Sequence, residues 1–145
     1  MKEKLKEDLI KAMKEKDKEV LNTLRSLKGA IQLEVINNKK EETDELIFDI
    51  ITKQIKMREA SIEEFRKANR EDLINSYQKE VNLLKAYMPK ELSIDEVTNI
   101  INDVFNKLNP TSIKDLGSIM KEITPKVKNK FDMKKLNEMI RERLN

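Results

Sequence analysis

The chain has 145 residues, of which 39% are charged and 38% hydrophobic, with two glycines and three prolines. This composition favours helices. It contains no cysteine and no histidine, which excludes a disulfide framework, cysteine- or histidine-ligated zinc and a histidine general base. The formal net charge of +3 is mildly basic, so a nucleic-acid partner is permitted but not required.

Apolar residues at helical spacing predict two helices at the amino terminus. Residues 2–16 form the first, with its apolar side chains at Leu5, Leu9, Ile10 and Met13. The closely spaced charges of this segment leave no apolar signal core and no membrane span. We therefore expect a soluble, cytoplasmic protein without membrane contact. A second apolar stripe runs from Val20 to Val35 behind a predicted Asp17 cap and ends near Asn38.

The next two helices include a long one. Thr43 is a plausible N-cap, and the apolar stripe from Leu46 to Phe65 predicts a helix of about 25 residues, roughly 37 Å long. Asn69 can take the left-handed conformation that ends a helix. A fourth helix then extends to Met88.

The stretch "YMPKELSIDEV" at 87–97 predicts a joint in the chain. Pro89 ends the fourth helix, because it cannot donate a hydrogen bond and disfavours helical geometry at Met88. Ser93 and Glu96 have the spacing of a capping box for a new helix. We therefore predict a helical domain at 1–90 and a smaller one at 91–145, with motion between them restricted by the short connection.

Three shorter helices are predicted in the second domain. Their apolar stripes run from Val97 to Leu108, from Ile113 to Ile123 and from Met133 to Leu144, with Asp132 capping the last. No segment alternates like a strand. The predicted fold class is all-α, with an N-terminal domain of about four helices, one of them long, and a three-helix C-terminal domain.

No pattern indicates catalysis or a bound cofactor. Gly29 and Gly117 are the only glycines, so no glycine-rich loop can hold a phosphate. We attribute both to close helix packing. Adjacent carboxylates such as Glu63 and Glu64 cannot supply the converging oxygens that hard cations need, so we expect no catalytic residue, no metal and no cofactor.

Two arginines lie inside long helices close to the apolar stripe. For Arg25 and Arg58 we expect structural ion pairs with neighbouring helices, the alternative being contact with an anion or a partner. We interpret Phe48, Phe65, Tyr77 and Phe105 as core residues, which disfavours a base-stacking platform built from the six aromatic residues of the chain.

Positive charge is concentrated near the carboxyl terminus. Residues 121–145 hold eight Lys or Arg against four acids, whereas residues 93–120 hold two against four. Lysine clusters of this kind contact phosphate backbones, although a solvated lysine-rich surface is the alternative. The candidate RNA-binding residues are Lys121, Lys126, Lys128, Lys130, Lys134 and Lys135.

Four segments resemble those of the YqeY-like proteins of the GatB/YqeY family. They are "TLRSLKGAI" at 23–31, "REASIEEFRKANREDL" at 58–73, "YMPKELS" at 87–93 and "DLGSIM" at 115–120. The resemblance implies a two-part helical fold whose second part is similar to the tail of GatB, a subunit of the tRNA-dependent amidotransferase. That tail is thought to contact transfer RNA, while the chemistry occurs elsewhere. The family label carries a carbon-nitrogen ligase term, with glutamine as amido donor, which comes from the name of the tail; the catalytic apparatus of the amidotransferase has no counterpart in this sequence.

One segment departs from the family pattern. Before the last helix the family tends to have a small, glycine-containing segment, where this chain has residues 128–132, "KNKFD". The bulkier segment disfavours close approach of backbone to an RNA phosphate, and Lys128 and Lys130 compensate by charge.

These observations favour a non-catalytic, translation-associated protein whose C-terminal domain binds transfer RNA or an RNA-protein complex. The alternatives are a protein-protein adaptor that uses the N-terminal helices, and an auxiliary part of an amidotransferase that is active only with partner subunits.

Overall fold

The computed structural model describes residues 1–144, and they form helices with no strand among them. The helices are α1 (Lys2–Glu15), α2 (Lys18–Asn37), α3 (Asp44–Lys67), α4 (Glu71–Lys85), α5 (Ile94–Leu108), α6 (Leu116–Val127) and α7 (Met133–Leu144). One 3-10 turn, Ile113–Asp115, directly precedes α6. The predicted all-α fold class is confirmed.

Capping side chains begin α2, α3, α5 and α7 where the sequence predicts. Asp17 and Thr43 accept hydrogen bonds from the backbone amides of Val20 and Leu46, both at 3.2 Å. At α5, Ser93 accepts from the amide of Glu96 at 3.1 Å. The Glu96 carboxylate, however, accepts from the Ser93 hydroxyl rather than from the Ser93 amide that the predicted capping box requires. The cap at Ser93 is therefore only half of the predicted motif.

The helix α6 is longer than its apolar stripe predicts. It continues through Pro125 to Val127, four residues beyond Ile123. A proline inside a helix forfeits one backbone hydrogen bond. Val127 is fully buried, and burying a valine side chain contributes about 1.5–3 kcal/mol. That burial offsets much of the cost of a proline inside a helix, which is about 3 kcal/mol.

The chain forms two compact units, of which the first is Met1–Met88. In this unit α3 packs more extensively on α4 than on any other helix. Its core is built from the inward faces of α2, α3 and α4, and the partly buried Leu5 and Leu9 of α1 pack against it. The fully enclosed side chains include Leu27, Ile47, Ile51 and Leu84.

The second unit begins at Pro89 and has a core of its own. The core residues are Val97, Ile101 and Val104 of α5, Ile119, Ile123 and Val127 of α6, and Leu136 and Ile140 of α7. Each is at most 1% exposed. The domain limits 1–90 and 91–145, understood as separately folding domains, stay a prediction.

The explanation given for the two glycines is wrong. A Cβ atom built on Gly29 or Gly117 meets no heavy atom within 4 Å outside its own helix turn and neighbours. Both residues have ordinary negative φ values, since no glycine of the chain has a positive one. Neither close packing nor backbone conformation therefore requires glycine at these positions.

We expect Gly29→Ala to stabilise the protein by about 0.5–1 kcal/mol, because alanine restricts the unfolded chain and suits a helix interior better than glycine. Urea unfolding followed by circular dichroism measures the change. The matched control is Ala60→Gly, at an exposed position inside α3, which should lower stability by a similar amount. A destabilising Gly29→Ala would contradict the expectation.

The interpretation of the aromatic residues needs correction. Phe48, Phe65, Tyr77 and Phe105 are half-buried, and of these Tyr77 and Phe105 pack against the margin of a core. Phe65 and Tyr77 meet edge to face, with ring centroids 5.0 Å apart. Tyr87 is the buried aromatic residue, at 6% exposure.

Tyr87 joins the end of the first unit to α1. Its hydroxyl donates a hydrogen bond to the Asp8 carboxylate, and the Lys4 ammonium lies 5.4 Å from the centre of its ring. Burial raises the pKa of the Tyr87 hydroxyl, and the hydrogen bond and negative charge of Asp8 raise that pKa further. Tyr87 therefore keeps its proton in the folded state at a pH where a free tyrosine loses it.

The raised pKa of Tyr87 predicts that the protein loses stability above pH 10, which is the ordinary pKa of a tyrosine hydroxyl. There the unfolded state releases a proton that the folded state retains, so the free energy of unfolding falls by up to about 1.4 kcal/mol at pH 11. Tyr87→Phe should lack this contribution. Urea unfolding of the wild type and the variant at pH 9 and pH 11 measures the effect. Lysine titration affects both proteins alike, so the difference between their losses of stability reports on Tyr87. Equal losses in the two proteins would contradict the assignment.

Candidate nucleic-acid interface

The six candidate lysines are distributed over α6, α7 and the turn between them. Lys121 and Lys126 lie on α6, Lys128 is its C-cap, Lys130 is in the turn, and Lys134 and Lys135 open α7. All six are exposed. At about 100° per residue, Lys121 and Lys126 project about 140° apart around α6. The lysines thus surround the α6–α7 turn rather than forming a single helix face.

Backbone hydrogen bonds hold the α6–α7 turn. The amide of Lys128 donates to the carbonyl of Thr124 at 2.9 Å, and that of Lys130 donates to the carbonyl of Val127 at 2.9 Å. The Lys130 carbonyl in turn accepts from the amide of Leu92 at 2.8 Å. Backbone groups of the turn itself therefore help to set its conformation.

Asn129 takes the place of glycine in this turn. Its φ of 64° lies in the left-handed region, which asparagine adopts more readily than other residues with a side chain. Asp132 then caps α7, accepting from the amide of Lys134 at 2.9 Å. The segment at 128–132 can thus make a tight turn although it contains no glycine.

The charged side chains near the α6–α7 turn differ in whether they contact another side chain. Among residues 1–144, no ion pair within 4.0 Å involves Lys121, Lys126, Lys130, Lys134 or Lys135. In contrast, Lys107 binds Glu122 at 3.2 Å, and the Arg143 guanidinium lies 4.6 Å from the Phe105 ring centre. These five lysines therefore keep their charge available for a ligand.

The two arginines have different environments. Arg58 of α3 is 13% exposed and lies 3.7 Å from the Glu80 carboxylate of α4, which confirms the predicted structural ion pair. Arg25 is exposed, and within residues 1–144 no carboxylate lies within ion-pair distance of it. The predicted pair at Arg25 is therefore wrong, because the side chain lies on the outer face of α2. Contact of Arg25 with an anion or a partner stays a prediction.

Sequence reasoning missed the polar cluster around Arg58. The hydroxyl of Thr23, a residue 2% exposed, donates to the Glu80 carboxylate at 3.3 Å and to the Glu19 carbonyl at 3.0 Å. Arg58 donates to the Gln54 side chain at 2.7 Å. The cluster spans three helices, so no local spacing could reveal it. Because each buried group has a partner, we interpret the cluster as structural.

Two further kinds of site find no support in residues 1–144. These residues contain no group of three or more acidic side chains placed to hold a metal ion. None of their helices combines the length and apolar character needed to cross a membrane.

Similarity to known proteins extends along most of the chain. It is 35% identical to "Altered inheritance of mitochondria protein 41, mitochondrial" of Pyrenophora tritici-repentis, covering 94% of this chain and 79% of that protein. Proteins of the same name from Lachancea thermotolerans and Saccharomyces cerevisiae are each 34% identical, covering 77% and 82% of this chain. The chain spans 63% and 68% of their respective lengths.

The relatives' names refer to mitochondria, whereas a cytoplasmic location stays a prediction for this chain. The family model described as "Yqey-like protein" matches residues 2–144, so the predicted family is confirmed. Similarity to the GatB tail stays a prediction. The all-helical chain belongs to the YqeY-like protein family.

Proposed function

We propose that this YqeY-like protein is a non-catalytic, translation-associated RNA-binding protein whose second unit binds transfer RNA. The exposed lysines around the α6–α7 turn carry the proposal. They are Lys121, Lys126, Lys128, Lys130, Lys134 and Lys135. Their side chains contact phosphate oxygens in the proposed complex.

The distribution of charge within the second unit supports an RNA ligand. Residues 93–120 have a net charge of −2, whereas residues 121–145 have a net charge of +4. An anionic ligand is therefore attracted to one part of the unit and repelled by the other. Such asymmetry orients a polyanion, which a uniformly lysine-rich surface does not do.

The expected binding is led by shape and charge. Lysine contacts to phosphates release counterions, so affinity falls steeply as salt rises. The half-buried aromatic rings of the second unit, Phe105 and Phe131, do not offer an open stacking surface for bases. Recognition then depends on the fold of the RNA backbone rather than on its sequence.

Fluorescence anisotropy tests the proposal directly. The purified full chain is titrated into labelled bulk transfer RNA and into a duplex DNA of matched length, each at 50 mM and 200 mM salt. We expect tighter binding to transfer RNA and a marked weakening at the higher salt. Absence of transfer-RNA binding at 50 mM salt, or equal affinity for both nucleic acids, would overturn it.

An adaptor function is a second candidate, and one observation favours it. The first unit exposes five large apolar side chains: Ile10, Met13, Leu33, Ile36 and Met57, between 43% and 73% exposed. Ile10 and Met13 are three apart on α1, as are Leu33 and Ile36 on α2, so each pair lies on one side of its helix. Leu33→Lys with Ile36→Lys would abolish co-purification with a protein partner that depends on α2.

The third alternative is an auxiliary role in a glutamine-dependent transfer-RNA amidotransferase. It is supported by the family label alone. Such a role is compatible with either the cytoplasm or the mitochondria named for the relatives. It predicts that ligase activity requires partner subunits, and an assay of the isolated chain with glutamine and aminoacylated transfer RNA should show no product.

A further inference from the structure

A cavity of about 340 Å³ opens in the first unit between α1, α2 and the loop after α2. Leu5 and Leu9 of α1, and Leu24 and Ile31 of α2, supply its apolar lining. Leu24 and Ile31 are only 3% and 2% exposed, so the inner part of the lining is core. The volume is near the lower end of the range of about 300–1,000 Å³ typical of small-molecule sites.

The rim of this cavity is cationic. Lys2, Lys6 and Lys28 contribute to the lining together with Glu3 and Glu42, which gives three positive charges against two negative ones. Lys2 already binds Glu42 at 3.2 Å. Within residues 1–144, no carboxylate lies within ion-pair distance of Lys6 or Lys28. These two ammonium groups can therefore bind an anion beside the apolar lining.

We infer that the cavity binds a medium-chain carboxylate, a fatty acid of about eight to ten carbons. Its hydrocarbon chain lies on the leucine and isoleucine lining, and its carboxylate is bound by Lys6 and Lys28. A partner helix is about 10–12 Å across with its side chains and does not enter a cavity of this volume, whereas a single hydrocarbon chain does. This site is independent of the proposed RNA interface in the second unit.

The length of the carboxylate provides the first test. Each methylene group that enters the cavity removes apolar surface from water and should tighten binding about fourfold. The full chain, labelled with ¹⁵N, is titrated with sodium hexanoate, octanoate and decanoate below their micelle concentrations. We expect saturable amide shifts in α1 and α2, with affinity rising along the series. Absence of saturable shifts there, or affinities independent of length, would overturn the inference.

The head group provides the second test. Lys6→Gln with Lys28→Gln should weaken octanoate binding at least tenfold, since charge-assisted hydrogen bonds are lost. Lys14→Gln, at an exposed position of α1 outside the cavity lining, is the control and should bind as the wild type does. Octanol should bind the wild type more weakly than octanoate. Equal binding by the double variant and the wild type would overturn the assignment of the carboxylate to these lysines.

A third variant examines the cavity without altering the core. Gln32 is exposed and belongs to the lining, so Gln32→Trp should fold normally and place an indole in the entrance. We expect it to exclude decanoate. Unchanged decanoate affinity in a folded Gln32→Trp protein would place the ligand elsewhere.

Discussion

We expect replacement of Lys126, Lys128 and Lys130 by glutamate to remove the transfer-RNA binding proposed for the chain. The substitutions change the charge around the α6–α7 turn by six units. If all six candidate lysines contact phosphates, the wild-type slope of log affinity against log salt is about −5, and losing three contacts reduces its magnitude by about 3. Anisotropy titrations of both proteins at several salt concentrations measure the affinity and the slope.

A charge-matched control separates local contact from overall charge. Lys14, Lys53 and Lys56 are exposed residues of the first unit, and their replacement by glutamate changes the net charge equally. We expect this control to retain most of the affinity. Unchanged binding by the turn variant would exclude the α6–α7 turn as the RNA interface. Equal losses of affinity in both variants would show that net charge, rather than contact at the turn, causes the loss.

Truncation of Ile123 to alanine causes the largest expected loss of stability in the second unit. Its side chain is fully buried among residues of all three helices, and such truncations cost about 2–5 kcal/mol. At about 0.05–0.15 kcal/mol per residue, residues 89–145 correspond to only about 3–9 kcal/mol of stability. The variant should therefore expose the amides of α5, α6 and α7 to much faster hydrogen exchange.

The same substitution at an exposed isoleucine of the second unit is the control. Ile113 is 43% exposed, so Ile113→Ala should cost less than about 1 kcal/mol. Native-state hydrogen exchange compares the two variants with the wild type. Similar exchange of the α6 amides in Ile123→Ala and Ile113→Ala would contradict the burial of Ile123.

Much of the fold could be predicted because its signals are local. A capping side chain such as Thr43 lies next to the amide it binds, and an apolar stripe recurs at a fixed helical spacing. Asn69 likewise ends its helix in the predicted left-handed conformation, with a φ of 56°. Pro125 was harder to interpret, because the burial of Val127 depends on contacts with other helices.

The candidate site was partly predictable for the same reason. Four of its lysines fall within nine residues of sequence, so any compact turn brings them near one another. The partners of Arg25 and Arg58 depend instead on which face of each helix lies inward. Arg58 meets Glu80 across 22 positions of the chain, and spacing within a single helix carries no information on such a contact.

In the α6–α7 turn, backbone groups form the hydrogen bonds that hold the fold, whereas exposed lysine side chains form the proposed ligand-binding surface. The amides of Lys128 and Lys130 and the carbonyl of Lys130 form these bonds, and any residue other than proline can supply the amides. The exposed side chain at position 130 can then be exchanged without rebuilding the unit. Relatives can therefore share this helical framework and yet differ in the polyanion or protein they recognise. Ligand preference within the family should accordingly follow the residues at these positions more closely than overall sequence identity.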